Sequence, residues 1–150
     1  MLTHAEFGRL RLKRLFPDRK ILEAANYEWL GHAWVSECLA AFTTFSRLHD
    51  ECDVVRAVEV SRTDLSESDV ERIFDALQLP LKMGMTIVQV RAVLGRESEI
   101  ERRSSDRSTY SFQVGDDPDQ YLITTTILDA GGLQYVTMHT PLPPAPDGAG

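Results

Sequence analysis

Tyr121-Leu-Ile-Thr-Thr-Thr-Ile-Leu128, Asp129-Ala-Gly-Gly132 and Leu133-Gln-Tyr-Val-Thr-Met138 follow one another without a break. Two runs rich in β-branched and aromatic residues flank a short cluster of turn formers, and that order predicts a β-hairpin. Working toward the N-terminus, Gly115-Asp116-Asp117-Pro118-Asp119 is a second turn cluster. Before it, residues 98 to 103 and 109 to 114 are two further runs that can pair across the polar loop Ser104 to Ser108. The C-terminal third is therefore expected to be an antiparallel meander.

Three segments elsewhere share one start signal: Leu2-Thr3-x-x-Glu6-Phe7, Leu65-Ser66-x-x-Asp69-Val70 and Met85-Thr86-x-x-Gln89-Val90. In each, a hydroxyl can accept from the amide three residues on, and the acidic or amide side chain there can reach back to the cap amide. The apolar residues before the cap and four positions after it can form a hydrophobic staple. Helical spacing follows each start: Phe7 and Leu10, then Val70, Ile73, Phe74 and Leu77, then Val90, Val93 and Leu94. Pro17 is expected to end the first helix, Pro80 lies beyond the second, and Gly95 supplies a stop for the third.

Residues 20 to 61 are read as strands at roughly 20 to 29, 34 to 46 and 53 to 61, although Trp34, Cys38, Ala41, Phe42, Phe45 and Leu48 also fit a helical stripe. The choice rests on a likeness between halves. Phe42-Thr-Thr-Phe45 to Val60 resembles Ile123-Thr-Thr-Thr126 to Met138, each preceded by a hydroxyl-capped helix, which suggests a degenerate helix-plus-strands duplication. The expectation is one α+β domain over 1–140, with halves at 1–62 and 63–140. In it, an antiparallel meander packs on about three amphipathic helices. The four prolines of 141–150 cannot continue a sheet, so that stretch is read as a disordered tail.

The 150 residues, 43% hydrophobic and 26% charged, suit a water-soluble globular domain. No apolar run is long enough for a membrane helix, and the N-terminus lacks the apolar core of a secretory signal. With only Cys38 and Cys52 present, reduced thiols and a cytoplasmic location are expected. A net charge of −7 argues against nucleic-acid binding, which needs clustered Lys and Arg. The charge is uneven: residues 1–20 carry +4 and residues 50–75 carry −6. The acidic stretch would steer a basic partner, or is simply a solvated face.

Few constellations carry chemistry. His49-x-x-Cys52 with Cys38 lacks a fourth ligand, so no metal is expected, and no cofactor motif or phosphate loop occurs; Gly131-Gly132 needs only turn geometry. No nucleophile elbow is present, and neither His4, His32, His49 nor His139 has a local partner that implies catalysis. Asp116, Asp117 and Asp119 lack calcium-loop spacing and read as a solvated turn. Trp29 and Trp34 bracket Gly31, where aromatics either anchor a partner or pack in the core. The candidate partner-binding residues are Asp50, Glu51, Asp53, Trp29, Trp34, Asp116, Asp117 and Asp119.

Leu81-Lys-Met-Gly-Met-Thr-Ile-Val-Gln-Val-Arg-Ala-Val-Leu-Gly95 resembles the Gly-Met-Thr-x-x-Gln-Val-x-x-x-Leu-Gly helix of SmpA/OmlA-type small outer-membrane lipoproteins. The likeness runs over residues 81–139, and the same α+β arrangement belongs to β-lactamase-inhibitor-protein-like domains. What the resemblance implies is a scaffold for binding proteins. It transfers no functional residue, and with neither a signal pattern nor a lipidation Cys among the first residues, the envelope role is not expected to carry over. The function expected is a non-catalytic protein-binding domain, such as a cytosolic inhibitor or immunity-type protein acting on a basic partner. A small enzyme or ligand-binding protein with a cleft between helices and sheet, in which His32, His139 or the Tyr27 to Trp34 cluster converge, is the alternative. A homo-oligomeric structural module is a third.

Overall fold

The computed structural model describes residues 1–10, 28–29, 33–35, 39–43, 55–63 and 66–139, with side chains over 1–10, 57–63 and 66–139. Three helices occur among the described residues: α1 (His4–Gly8), α2 (Glu67–Ala76) and α3 (Ile87–Leu94). The strands are β1 (Glu28–Trp29), β2 (Ala33–Val35), β3 (Leu39–Thr43), β4 (Val55–Ser61), β5 (Glu99–Arg102), β6 (Arg107–Asp116), β7 (Asp119–Leu128) and β8 (Gly132–His139). The expected α+β fold with an antiparallel sheet is present.

Each helix begins at the hydroxyl cap. Thr3, Ser66 and Thr86 accept from the amides of Glu6, Asp69 and Gln89 at 3.1, 3.2 and 3.2 Å. The return half of the capping box is present only in α3, where the Thr86 amide donates to Gln89 Oε1 at 2.9 Å. At Asp69 the side chain is one methylene shorter than the Glu or Gln this return bond uses.

The first helix ends at Gly8 and does not run to Pro17. Gly is a poor helix former, and the next two amides bond three residues back, Arg9 to Glu6 O and Leu10 to Phe7 O, which tightens and closes the turn. The second helix closes in a Schellman motif. Gln78 takes a positive φ of 53°, its amide bonds Asp75 O, and the Leu79 amide bonds Phe74 O, with buried Leu79 and Phe74 supplying the accompanying apolar contact.

The eight strands form one sheet in the order β1-β2-β3-β4-β8-β7-β6-β5. Two four-stranded antiparallel meanders thus meet at β4 and β8, with Val60 opposite Val136 and Val58 opposite Met138. The single strand expected over 34–46 is instead two strands: β2 and β3 pair antiparallel, Trp34 opposite Ala41, so the chain reverses between residues 35 and 39. The β6–β7 hairpin is tighter than its turn cluster suggests, since pairing runs to Asp116 opposite Asp119 across a cis Asp117-Pro118 peptide.

One face of the sheet carries the core. Val58 and Val60 of β4, Val136 and Met138 of β8, Tyr121, Ile123 and Ile127 of β7, and Phe112 of β6 are buried there. They pack with Phe7 of α1, Val70, Ile73 and Phe74 of α2, and Val90 of α3. Two links hold helices in register with strands. The Tyr121 hydroxyl donates to Leu2 O at 2.6 Å, with the Phe7 and Tyr121 rings 4.9 Å apart. Before α3, the Gly84 amide donates to Leu133 O at 2.9 Å and the Leu133 amide to Met85 O at 2.8 Å.

This second link explains Gly132, for which turn geometry alone was expected. At φ 72° a Cβ there would collide with Gly84 O and lie 2.7 Å from Met85 O, so the approach of the 84–85 segment to β8 requires glycine.

Candidate functional site

The opposite face of the sheet is the candidate. Period-2 alternation puts Ala57, Glu59 and Ser61 of β4, Tyr135, Thr137 and His139 of β8, and Leu122, Thr124, Thr126 and Leu128 of β7 on it. Every one of these is partly buried, while Val58, Val60, Tyr121, Ile123, Thr125, Ile127, Val136 and Met138, which alternate with them, are buried on the other face. Among the described residues no helix contributes to this face; the helical side chains of the core all pack on the other.

Its centre is a hydroxyl ladder. Thr109 lies opposite Thr126, Ser111 opposite Thr124 and Thr124 opposite Thr137, with Ser111 Oγ and Thr124 Oγ1 3.4 Å apart. The β-branched threonines among them are stiff at χ1. Beside the ladder, Tyr135 is hydrogen-bonded to Glu59; burial, then the bond to that carboxylate, raises the phenol's pKa, so the ring presents a neutral, donating hydroxyl. Gln120 Oε1 is buried on the same face with no hydrogen-bond partner among the described residues.

The rim is charged and braced. Arg103 donates to Thr109 Oγ1 and to Glu101 Oε1, both at 3.1 Å. On the core parity at the β5 end, Arg102 makes a two-pronged bond to Asp129 at 2.8 and 2.7 Å and also bonds Ser108 Oγ and Ser105 O, tying the β5–β6 hairpin to the β7–β8 loop. The bond from Arg102 is the main reason the Asp129 carboxyl is lowered in pKa. On the helical side, Arg91 grips Glu97 at 2.8 and 2.7 Å, and that bond chiefly holds the Glu97 carboxyl at about 2.

The residues singled out from the sequence fall in three groups. Asp116, Asp117 and Asp119 sit exposed at the β6–β7 turn, with His4 Nδ1 3.9 Å from Asp119 Oδ1. Trp29 and Trp34 are brought together as directly opposed positions of β1 and β2. Asp50, Glu51 and Asp53 lie outside the described residues, as do His32, Cys38, His49, Cys52 and the tail from 140 on. Tyr135, Glu59 and the Thr ladder were missed as site residues. The Thr124-Thr-Thr126 run was the available signal, since alternation must send Thr124 and Thr126 to the face opposite the buried Thr125.

Among the described residues no group of three or more His, Cys, Asp or Glu is placed to hold a metal ion. No described helix is long and apolar enough to cross a membrane. His139 lies opposite Leu122 and Ala57 on the open face.

No family model matches the chain, and no curated protein matches it. Among solved structures, a DUF4309 family protein, YjgB, from Bacillus subtilis subsp. subtilis str. 168 is similar, with a TM-score of 0.42 and 12% sequence identity over 83% of this chain and 78% of that chain.

Proposed function

We propose that this chain is a non-catalytic protein-binding domain that presents to a protein partner the face of its sheet that no described helix covers, as a cytosolic inhibitor or immunity-type protein would. The observation that carries the reading is the hydroxyl ladder flanked by Tyr135 on a face no described helix covers. Threonines on paired strands and a hydrogen-bonded tyrosine are already ordered, so a partner immobilises few rotamers on binding. Tyr is also favoured as an interface anchor, with one apolar ring and one polar tip. The exposed acids of the β6–β7 turn, Asp116, Asp117 and Asp119, and Glu99 and Glu101 on β5, favour a partner of basic surface.

Two finer readings accompany it. The meeting of two four-stranded meanders at β4 and β8 supports a degenerate duplication with halves at 1–62 and 63–140. The likeness of residues 81–139 to SmpA/OmlA-type and inhibitor-protein-like domains points toward the same use of the scaffold.

The test is co-purification from the native host with the wild-type chain and with Thr124→Arg, which inserts a long cation into the ladder, each first checked for its fold by circular dichroism. A stoichiometric protein recovered by the wild type and lost with Thr124→Arg is expected. Recovery of no partner, or equal recovery by both, would remove the reading.

A further inference from the structure

Away from the open face, a cleft of about 180 Å³ lies between the end of β4, the side of α2 and the segment that follows it. Its floor is apolar, formed by Val70, Phe74 and Leu81, all buried, with Met83 as an adaptable wall. Four exposed charged side chains also line the cleft, and their elements sort them by sign: Glu67 and Glu71 belong to α2, one helical turn apart, while Arg62 directly follows β4 and Lys82 lies in the segment after α2. None of the four is ion-paired with another or with any other described residue. Arg62 is nevertheless fixed in place. Its Nη1 donates to Gly131 O at 3.1 Å, and its guanidinium packs against Gly84, where a Cβ would touch it at 3.5 Å.

Opposite charges that line one cleft without neutralising each other are available to a ligand that carries both signs. The space is smaller than the roughly 300–1,000 Å³ of sites that take drug-sized molecules. We propose that this cleft binds a free apolar α-amino acid: its carboxylate meets Arg62 and Lys82, its ammonium meets Glu67 and Glu71, and its side chain lies on Val70, Phe74 and Leu81. The guanidinium fork suits a carboxylate, and its remaining donors are pre-positioned by the bond to Gly131. An apolar side chain is selected because the floor offers no polar partner, so a hydroxyl or amide placed there would be buried unsatisfied. The site is independent of the protein-binding reading, and either can fail without the other.

Titration of the full chain with L-leucine, L-methionine and L-phenylalanine, followed by amide and methyl chemical shifts, tests it. The expected result is saturable shifts at Val70, Leu81 and Met83 with at least one of the three, and at least tenfold weaker binding by Glu71→Gln and by Lys82→Met. Both substitutions are exposed and are checked for unchanged thermal unfolding. The N-acetylated amide of the same amino acid, which has neither charge, is expected not to bind. Absence of saturable shifts with all three, equal binding of the N-acetylated amide, or undiminished binding by both folded variants would overturn the assignment.

Discussion

The two faces of the central strands are built from one alternating sequence and serve opposite ends. Along β7, Tyr121, Ile123, Thr125 and Ile127 are buried under the helices, while Leu122, Thr124, Thr126 and Leu128 form the half-exposed other side. The covered face is large and apolar and makes the core. The other face carries the hydroxyl ladder among partly buried Leu122, Leu128 and Tyr135, so a substitution there removes less buried surface than one in the core. The difference teaches where stability and recognition are separable in this molecule: a substitution on one parity should unfold it, and its neighbour should leave the fold untouched.

The strongest way to test that separation is Phe112→Ala, which removes a fully buried ring beneath the helices. A loss of about 3–5 kcal/mol is expected, read as a lower denaturant midpoint. Gly132→Ala attacks the covered side through the backbone, since the new methyl meets Gly84 O and the positive φ persists. It should cost at least about 1–3 kcal/mol, and hydrogen exchange should show α3 loosened from β8.

Tyr121→Phe deletes the single hydroxyl bond to Leu2 O and should cost about 1 kcal/mol. This residue also carries a pH signature. Burial, and then the nearby Glu6 carboxylate, push the phenol up to about 12, so folding favours the protonated form. That contribution is complete below the unfolded phenol value near 10 and is lost as pH rises toward 12. Thermal unfolding of the wild type should therefore fall between those pH values more steeply than that of Tyr121→Phe.

The smallest effect is expected on the open face. Thr126→Val and Thr137→Val keep the β-branched shape and should change stability by no more than about 0.5 kcal/mol each. A larger loss at either position would show that the hydroxyl ladder serves the fold, and the contrast between faces would collapse.

Much of the local structure was legible in the residues. Thr3, Ser66 and Thr86 each announced a helix start, and Thr124-Thr-Thr126 with Asp129-Ala-Gly-Gly132 announced a hairpin, because caps, turns and alternation act over a few residues. The end of α1 at Gly8 was also within reach, since Leu12 and Leu15 do not continue the Phe7 stripe. The open face was only half legible: the alternation gave its residues, while nothing local said which parity the helices would cover.

By itself the sequence determined the elements of the C-terminal meander, the capped helices and the absence of any local catalytic motif. Only the tertiary structure decided that β4 joins β8, with Val60 meeting Val136 across more than half the chain's length. It alone brought Arg62 to the lip of the α2 cleft, and it alone made Gly132 a contact point for the segment before α3. The physical reason is common to all three. Hydrogen-bonding and steric preferences within a few residues are written in neighbouring letters, whereas long-range pairing is chosen by how whole amphipathic faces bury against one another, and residue spacing does not record that choice.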